Sequence, residues 1–439
     1  MQSSLPKVLQ PLGGRPMLAH LLETAAALDP ERVHVVIGSG ADLVQEACDG
    51  FDVNWVIQAQ RRGTGHAVMQ AMPAIPDDAA VLVLLGDHPL IPASVLAEMK
   101  EKTLSPLSVL TMELDKPRGY GRIERDRTGR ISGVIEDRDA TPVQWKIREV
   151  NTGIILADAA HLRRWLDSLD CENKKQEYYL TDIFAMAHNE KKEIHGVLAP
   201  DARDLQGAND RRQLAVLEQR YRQHATRRLM DEGVHIIDPE RVEIRGKVAT
   251  GLDVCLDINV VLEGSNTLGD GVTIGPGAVL KNCDLAAGTR VHAYSVLEGV
   301  KTSGPCDIGP FARVRPGTEL AAGTRIGNFV EVKNTRLGEG SKAGHLSYLG
   351  DTTIGKDVNI GAGTITCNYD GANKYRTVIE DGAFIGSDSQ LVAPVTVGKG
   401  ATIGAGTTLS KDAPPQALTI SRAKQVTVTN WQRPKKEKS

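Results

Sequence analysis

From about residue 250 onward, aliphatic side chains recur at every sixth position. One run is Leu256, Leu262, Leu268, Ile274 and Leu280. A second is Ile308, Val314, Leu320, Ile326 and Val332, and a third is Ile379, Ile385, Leu391, Val397, Ile403 and Leu409. Glycine often comes next, as Gly269 after Leu268, Gly309 after Ile308 and Gly398 after Val397. A period of six matches neither the 3.6 of a helix nor the 2 of a simple strand. It predicts a parallel β-helix, in which short strands and corners alternate and the aliphatics stack inward in columns. The 44 glycines and the 4% aromatic content suit a fold built from tight corners. The frame runs to about residue 412 and breaks once, between Thr366 and Ile379. The intervening residues 367–376 are too many for a corner, and excursions of this kind from regular structure are often functional.

The first 200 residues follow other rules. Apolar runs at 33–38, 54–57 and 80–85 read as buried strands. Helices are expected over 40–49, from near Gly65, and over 93–102. Further strands near 107–113 and 150–156, with helices near 159–168 and 179–188, complete a doubly wound, Rossmann-like α/β pattern. The run at 80–85 is almost wholly apolar, so it is expected to be central in a parallel sheet. Leu214, Leu217, Tyr221 and Ala225 lie at helical spacing in a charged segment that Gly233 can end. The reading is thus an α/β domain over 1–209, a helical linker over 210–233, and a β-helix with its tail over 234–439. The basic end of the tail (Arg433, Lys435, Lys436, Lys438) reads as a solvated terminus.

A net charge of −3 gives no reason to expect nucleic acid. There is no run of 18 apolar residues and no signal peptide, so a cytoplasmic protein without a membrane partner is expected. Cys48, Cys171, Cys255, Cys283, Cys306 and Cys367 are widely spaced and form no CxxC pair, which argues for reduced thiols.

Several residues carry chemistry by position. Asp87 falls where the 80–85 strand meets its loop, the end of an α/β strand at which ligands bind. A carboxylate there suits Mg²⁺ held against a nucleotide phosphate, or else a helix cap. Residues 58–67 form a Gly-rich turn opening a helix, with backbone N–H groups and a hydroxyl available to a base or phosphate. Lys7 is a phosphate contact or a surface lysine. In the repeats, His345 suits a general base for an amine, with Glu331 fourteen residues earlier placed to orient it from an adjacent coil. Arg315, Lys333 and Lys374 are candidates to pair with a sugar phosphate.

The strings PKVLxPLGGRPML, QxxxxGTGHA and LLGDHPL come first, followed by GYGRI at 119–123, EVNTG at 149–153, and Asn209. In that order they resemble the nucleoside-diphosphate-sugar pyrophosphorylases. With the repeats added, almost the whole chain resembles a narrower family. These are the bacterial bifunctional enzymes that acetylate glucosamine-1-phosphate and uridylate the product to UDP-N-acetylglucosamine. The resemblance implies that Gln58, Gly63 and Thr64 read uracil and that Lys7 lies near the phosphates. It places Mg²⁺ on Asp87 and Asn209, and the N-acetylglucosamine on Gly121, Glu136 and Asn151. It makes His345 the general base, assisted by Glu331, and gives glucosamine-1-phosphate to Arg315, Lys333, Tyr348, Asn359 and Lys374. It lines the acetyl-CoA groove with Ala362, Asn368, Tyr369, Ser387, Ala405 and Arg422. It also implies UTP as co-substrate, a left-handed β-helix and a homotrimer. The 367–376 excursion and the C-terminal tail are the parts expected to reach across subunits.

Members of that family open with a buried strand and a Gly-rich loop of the type LAAGxGTRM, and Met1 aligns with the last residue of that loop. The expectation is therefore a sheet short of one strand and a nucleotide site short of backbone donors. That leaves either a start assigned too late or an acetyltransferase whose uridylyl activity is lost. Two other readings are weaker. A β-helix serving only as scaffold or allosteric arm does not account for His345, Lys333, Arg315 and Lys374. A three-histidine zinc site on the prism finds only His292 and His345 in the repeats, with His235 at the entrance.

Overall fold

The computed structural model describes residues 1–102, 105–173 and 176–434. The chain forms two compact units, Met1–Tyr221 and Arg222 onward, divided within the long helix Arg211–Asp231.

The centre of the first unit is a mixed sheet. The strand Glu149–Asp158 runs antiparallel to Leu107–Glu113, which pairs in parallel with Ile194–Leu198. On its other side Glu149–Asp158 meets Ala80–Val83 and, at Val150, the hairpin Arg122–Arg125 and Ile131–Ile135. Side chains alternate between two covered faces, as the strand period requires. Leu107, Val109, Ile155 and Ala157 pack with Leu162, Trp165, Ile183 and Phe184 of the helices Ala159–Asp167 and Asp182–Asn189. Leu110, Met112, Val150 and Ile154 pack with Val95, Leu96 and Met99 of the helix Ala93–Lys102.

The 80–85 run is not central in a parallel sheet. Ala80–Val83 pairs antiparallel, and among the described residues only with Glu149–Asp158. His34–Ile37 and Asn54–Ile57 form a separate parallel pair. The run is apolar because Val81 and Val83 face one helical layer while Leu82 and Leu84 face the other. Covering both faces demands continuous hydrophobicity whatever the number of strand neighbours.

In the second unit every coil uses three hexads. Leu256, Ile274, Val291, Ile308, Ile326, Ala343, Ile360, Ile385 and Ile403 stack in register down one parallel sheet. Leu262, Leu280, Leu297 and Val314 stack down a second face, and Leu320, Leu337, Ile354, Ile379 and Val397 down a third. A six-residue sequence period thus visits the three columns in turn, and all of these side chains are buried. The register step is 17 or 18 residues through most of the prism. It is 25 from Ile360 to Ile385, where residues 367–376 leave the coil.

One corner is unusual. Tyr294, Phe311 and Phe329 stack on successive coils with centroids 5.4 and 5.6 Å apart, all substantially exposed. Each has a left-handed φ (57°, 54° and 57°), a conformation that bulky residues rarely adopt. Leu346, with φ 43°, continues the line. Residues 420–434 are exposed and hold no helix or strand, and this segment includes Arg433. Lys435, Lys436 and Lys438 lie outside the described residues. No helix among the described residues is long and apolar enough to cross a membrane.

Candidate active sites

In the first unit three of the expected residues converge. The Lys7 ammonium donates to Asp87 Oδ2 and, at 2.6 Å, to Asn209 Oδ1. Asp87 lies in the loop after the Ala80–Val83 strand, Lys7 opens a single 3-10 turn, and Asn209 lies two residues before the long helix. A carboxylate and an amide oxygen thus already converge on one cation. Hard oxygen donors of this kind fit Mg²⁺, which takes one or two protein ligands and completes its shell with water and phosphate. Behind them His88 is buried, and burial lowers its pKa. Its Nε2 lies 3.8 Å from Asp87 Oδ1.

The Gly-rich turn is pinned from behind. Tyr178 N donates to Arg62 O at 2.7 Å, Gly65 N to Tyr178 O at 2.9 Å, and Leu180 N to Thr64 Oγ1 at 3.2 Å. Gly63 has φ 109°, and an added Cβ would lie 2.5 Å from Tyr178 O, so only glycine fits there. Gln58 Nε2 lies 2.9 Å from His66 Nδ1, a partner that sequence reasoning missed. The helical register of Thr64–Ala71 was its only available signal. Gly121, Glu136 and Asn151 gather on three adjacent strand ends. Asn151 N donates to Gly121 O at 2.9 Å, and Thr181 Oγ1 donates to Glu136 Oε1 at 3.1 Å.

In the prism, register places the expected groups. Asn328 pairs with His345, Ala343 with Ile360, Ile360 with Ile385, and Ile385 with Ile403. Counting two residues onward, Asn328, His345, Ala362, Ser387 and Ala405 form one column beside the corner that carries Phe329 and Leu346. Neighbouring strands in a sheet lie about 4.8 Å apart. Three small side chains thus line up above an exposed histidine. Arg422 lies beyond the last strand, and its Nη2 would lie 3.0 Å from a Cβ added at Gly404.

On the adjoining face Arg315 stacks beneath Lys333, by the register of Val314 with Val332. Lys374 reaches over from the 367–376 excursion. Contact with Lys374, and then the charge of Arg315, holds Lys333 below the ordinary lysine pKa. Glu331 bridges Arg315 at 2.8 Å. Tyr348 pairs with Glu331, and its hydroxyl would lie 2.5 Å from a Cβ added at Gly350. Asn368 is buried and donates to Asp351 Oδ2 at 2.5 Å. Tyr369 is exposed on the excursion and donates to Gly371 O at 2.6 Å. Asn359 lies on the other face, paired with Lys342 rather than with the cationic cluster. Glu331 is tied to Arg315 and does not reach His345; the imidazole Nδ1 is 3.0 Å from Asn328 Oδ1 instead. Asn328 was missed because its spacing of 17 carries meaning only once the coil length is known.

Residues 1–121 match the MobA-like NTP transferase domain family, and residues 376–411 match the bacterial transferase hexapeptide family. Bifunctional protein GlmU of Alkalilimnicola ehrlichii is 52% identical over 434 residues, covering 99% of this chain and 94% of that protein. Its namesake from Stenotrophomonas maltophilia is 53% identical over 438 residues, covering 100% and 96%. That from an Azoarcus strain is 51% identical over 439 residues, covering 100% and 97%. The chain belongs to the GlmU family. The likeness spans both units, so GlmU kinship applies to the Lys7–Asp87–Asn209 cluster and to the His345 column alike.

Proposed function

We propose that this GlmU-family chain carries out two transfers in sequence. The first moves acetyl from acetyl-CoA to glucosamine-1-phosphate. The second moves uridylyl from UTP to N-acetylglucosamine-1-phosphate and releases pyrophosphate. The carrying observation is the in-register column of Asn328, His345 and three small residues beside the Arg315, Lys333 and Lys374 cluster.

Asn328 Oδ1 can only accept, so His345 Nδ1 carries the proton and Nε2 holds a free lone pair. The sugar phosphate pairs with the three cations, which turns the 2-amino group toward the corner. The amine nitrogen attacks the thioester carbonyl directly. A C–N bond forms, the amine proton passes to His345 Nε2, and the C–S bond breaks with release of CoA. Acetyl-CoA lies along Ala362, Ser387 and Ala405, with Asn368, Tyr369 and Arg422 at its borders.

In the first unit Gln58, Gly63 and Thr64 hold uracil, and Gly121, Glu136 and Asn151 hold the sugar. A phosphate oxygen of N-acetylglucosamine-1-phosphate attacks the α-phosphorus of UTP, and the bond to pyrophosphate breaks. Asp87 and Asn209 would hold Mg²⁺, which would neutralise phosphate charge. Lys7, now on those oxygens, then turns to the phosphates. We assign uridylyl transfer to 1–209, a linking role to the helix 210–233, and acetyl transfer to 234–439. The exposed strip of Tyr294, Phe311, Phe329 and Leu346 beside His345 supports a homotrimer in which a second prism covers it. Six free cysteines support a reducing, cytoplasmic setting. The test is His345→Ala, which should abolish CoA release from acetyl-CoA and glucosamine-1-phosphate and leave pyrophosphate release intact.

A further inference from the structure

Arg122 is only 1% exposed, yet it sits among the proposed sugar contacts. Its Nη2 lies 2.8 Å from Asp137 Oδ1, and its Nη1 donates to Tyr120 O. Its Nε is buried with no hydrogen-bond partner. Arg122 also pairs through its backbone with Ile135 on one side and Val150 on the other. Each of these anchors adjoins a proposed sugar contact. Tyr120 and Arg122 flank Gly121, Ile135 and Asp137 flank Glu136, and Val150 precedes Asn151. Gly121 is tightly held, since an added Cβ would meet Val134 Cγ1 at 2.8 Å.

An ion pair whose guanidinium is buried and whose carboxylate is only partly exposed is a poor way to stabilise a hairpin. Desolvation offsets much of its attraction, and well-packed apolar groups of similar volume often serve as well or better. A guanidinium with a fixed fork is well suited to hold two backbone segments at one spacing. We infer that Arg122 is a positioning residue for the N-acetylglucosamine pocket: its buried guanidinium ties the 120–122 and 135–137 segments together and sets the distance between Gly121, Glu136 and Asn151. This rests on the sugar pocket proposed above.

The experiment is calorimetric titration of the full chain with UDP-N-acetylglucosamine and, separately, with UTP and Mg²⁺. Arg122→Met should weaken UDP-N-acetylglucosamine by about tenfold or more, because small misplacements of positioning groups are costly. UTP affinity should stay unchanged, since the uracil contacts lie on other elements. Arg122→Lys, which keeps the charge but not the fork, should show a smaller loss with the same selectivity, and it carries the test if Arg122→Met does not fold. Equal losses for both ligands, or none for either, would overturn the inference. Glu136→Gln separates it from the reading beneath. If that variant binds the sugar nucleotide normally, or if the unsubstituted chain does not bind it, the pocket assignment fails. If Glu136→Gln weakens binding while Arg122→Met does not, only the positioning role fails.

Discussion

His345 and Asn328 occupy the same position on consecutive coils, and the imidazole Nδ1 lies 3.0 Å from the amide Oδ1. That contact selects the tautomer whose Nε2 accepts a proton. Asn328→Ala should lower kcat for acetyl transfer by about tenfold, a part of the 10²–10⁴ that general-base catalysis typically contributes. The KM for glucosamine-1-phosphate should barely move. Asn328→Asp keeps an accepting oxygen and should retain more activity than the alanine variant. Steady-state CoA release checks this, and equal kcat in Asn328→Ala and the unsubstituted protein would remove the contact from catalysis.

Lys333 is held below the ordinary lysine range, first by Lys374 and then by Arg315. A phosphate binds best while Lys333 is protonated. Affinity for glucosamine-1-phosphate should therefore fall with rising pH earlier than an ordinary lysine would dictate. Lys374→Ala should weaken binding near neutrality and move that alkaline limb to higher pH. Titrations across pH check both, and an unmoved limb would contradict the pairing.

Lys7 bonds the same two oxygens proposed for Mg²⁺. A like charge about 4 Å away costs a divalent ion about 2–8 kcal/mol between water-like and partly exposed conditions. Lys7→Met should thus tighten Mn²⁺ binding, read by electron paramagnetic resonance without nucleotide, by about fivefold or more. Asp87→Asn should weaken it. Unchanged or weaker Mn²⁺ binding in Lys7→Met would show that the ammonium does not compete.

Burial, reinforced by Asp170, Glu136 and Asp139, pushes the Asp182 carboxyl up to about 6 from 3.8. The folded state holds this proton more tightly than the unfolded chain does. The resulting stability is complete below pH 3.8 and is lost as pH rises through about 6. The Tm of the first unit should therefore decline mainly between about pH 4 and 6, and Asp182→Asn should flatten that decline and raise Tm at neutrality. Calorimetry checks this, and an equal slope in the variant would rule out Asp182 as its source.

The prism was legible almost residue by residue. Leu256 and its successors mark an inward column that nothing but a three-hexad coil satisfies, and the break before Ile379 marks the excursion that carries Lys374. Sheet topology in the first unit was less legible. The run at 80–85 reports that helices cover both faces, and it is silent on whether Glu149–Asp158 lies parallel or antiparallel beside it. Residue type and local motif were enough to propose Lys7 and Asp87, and the family resemblance added Asn209; the fold brings the three together across some 200 residues. They did not suffice for Asn328, His66 or Arg122, whose roles depend on a register, a helical turn and a buried fork.

The most direct test of the account is a paired assay on the full chain. CoA release is followed from acetyl-CoA and glucosamine-1-phosphate, and pyrophosphate release from UTP, N-acetylglucosamine-1-phosphate and Mg²⁺. Both products are predicted, with His345→Ala losing only the first and Asp87→Asn only the second. Loss of both by either variant while folded, or absence of either product from the unsubstituted protein, would contradict it.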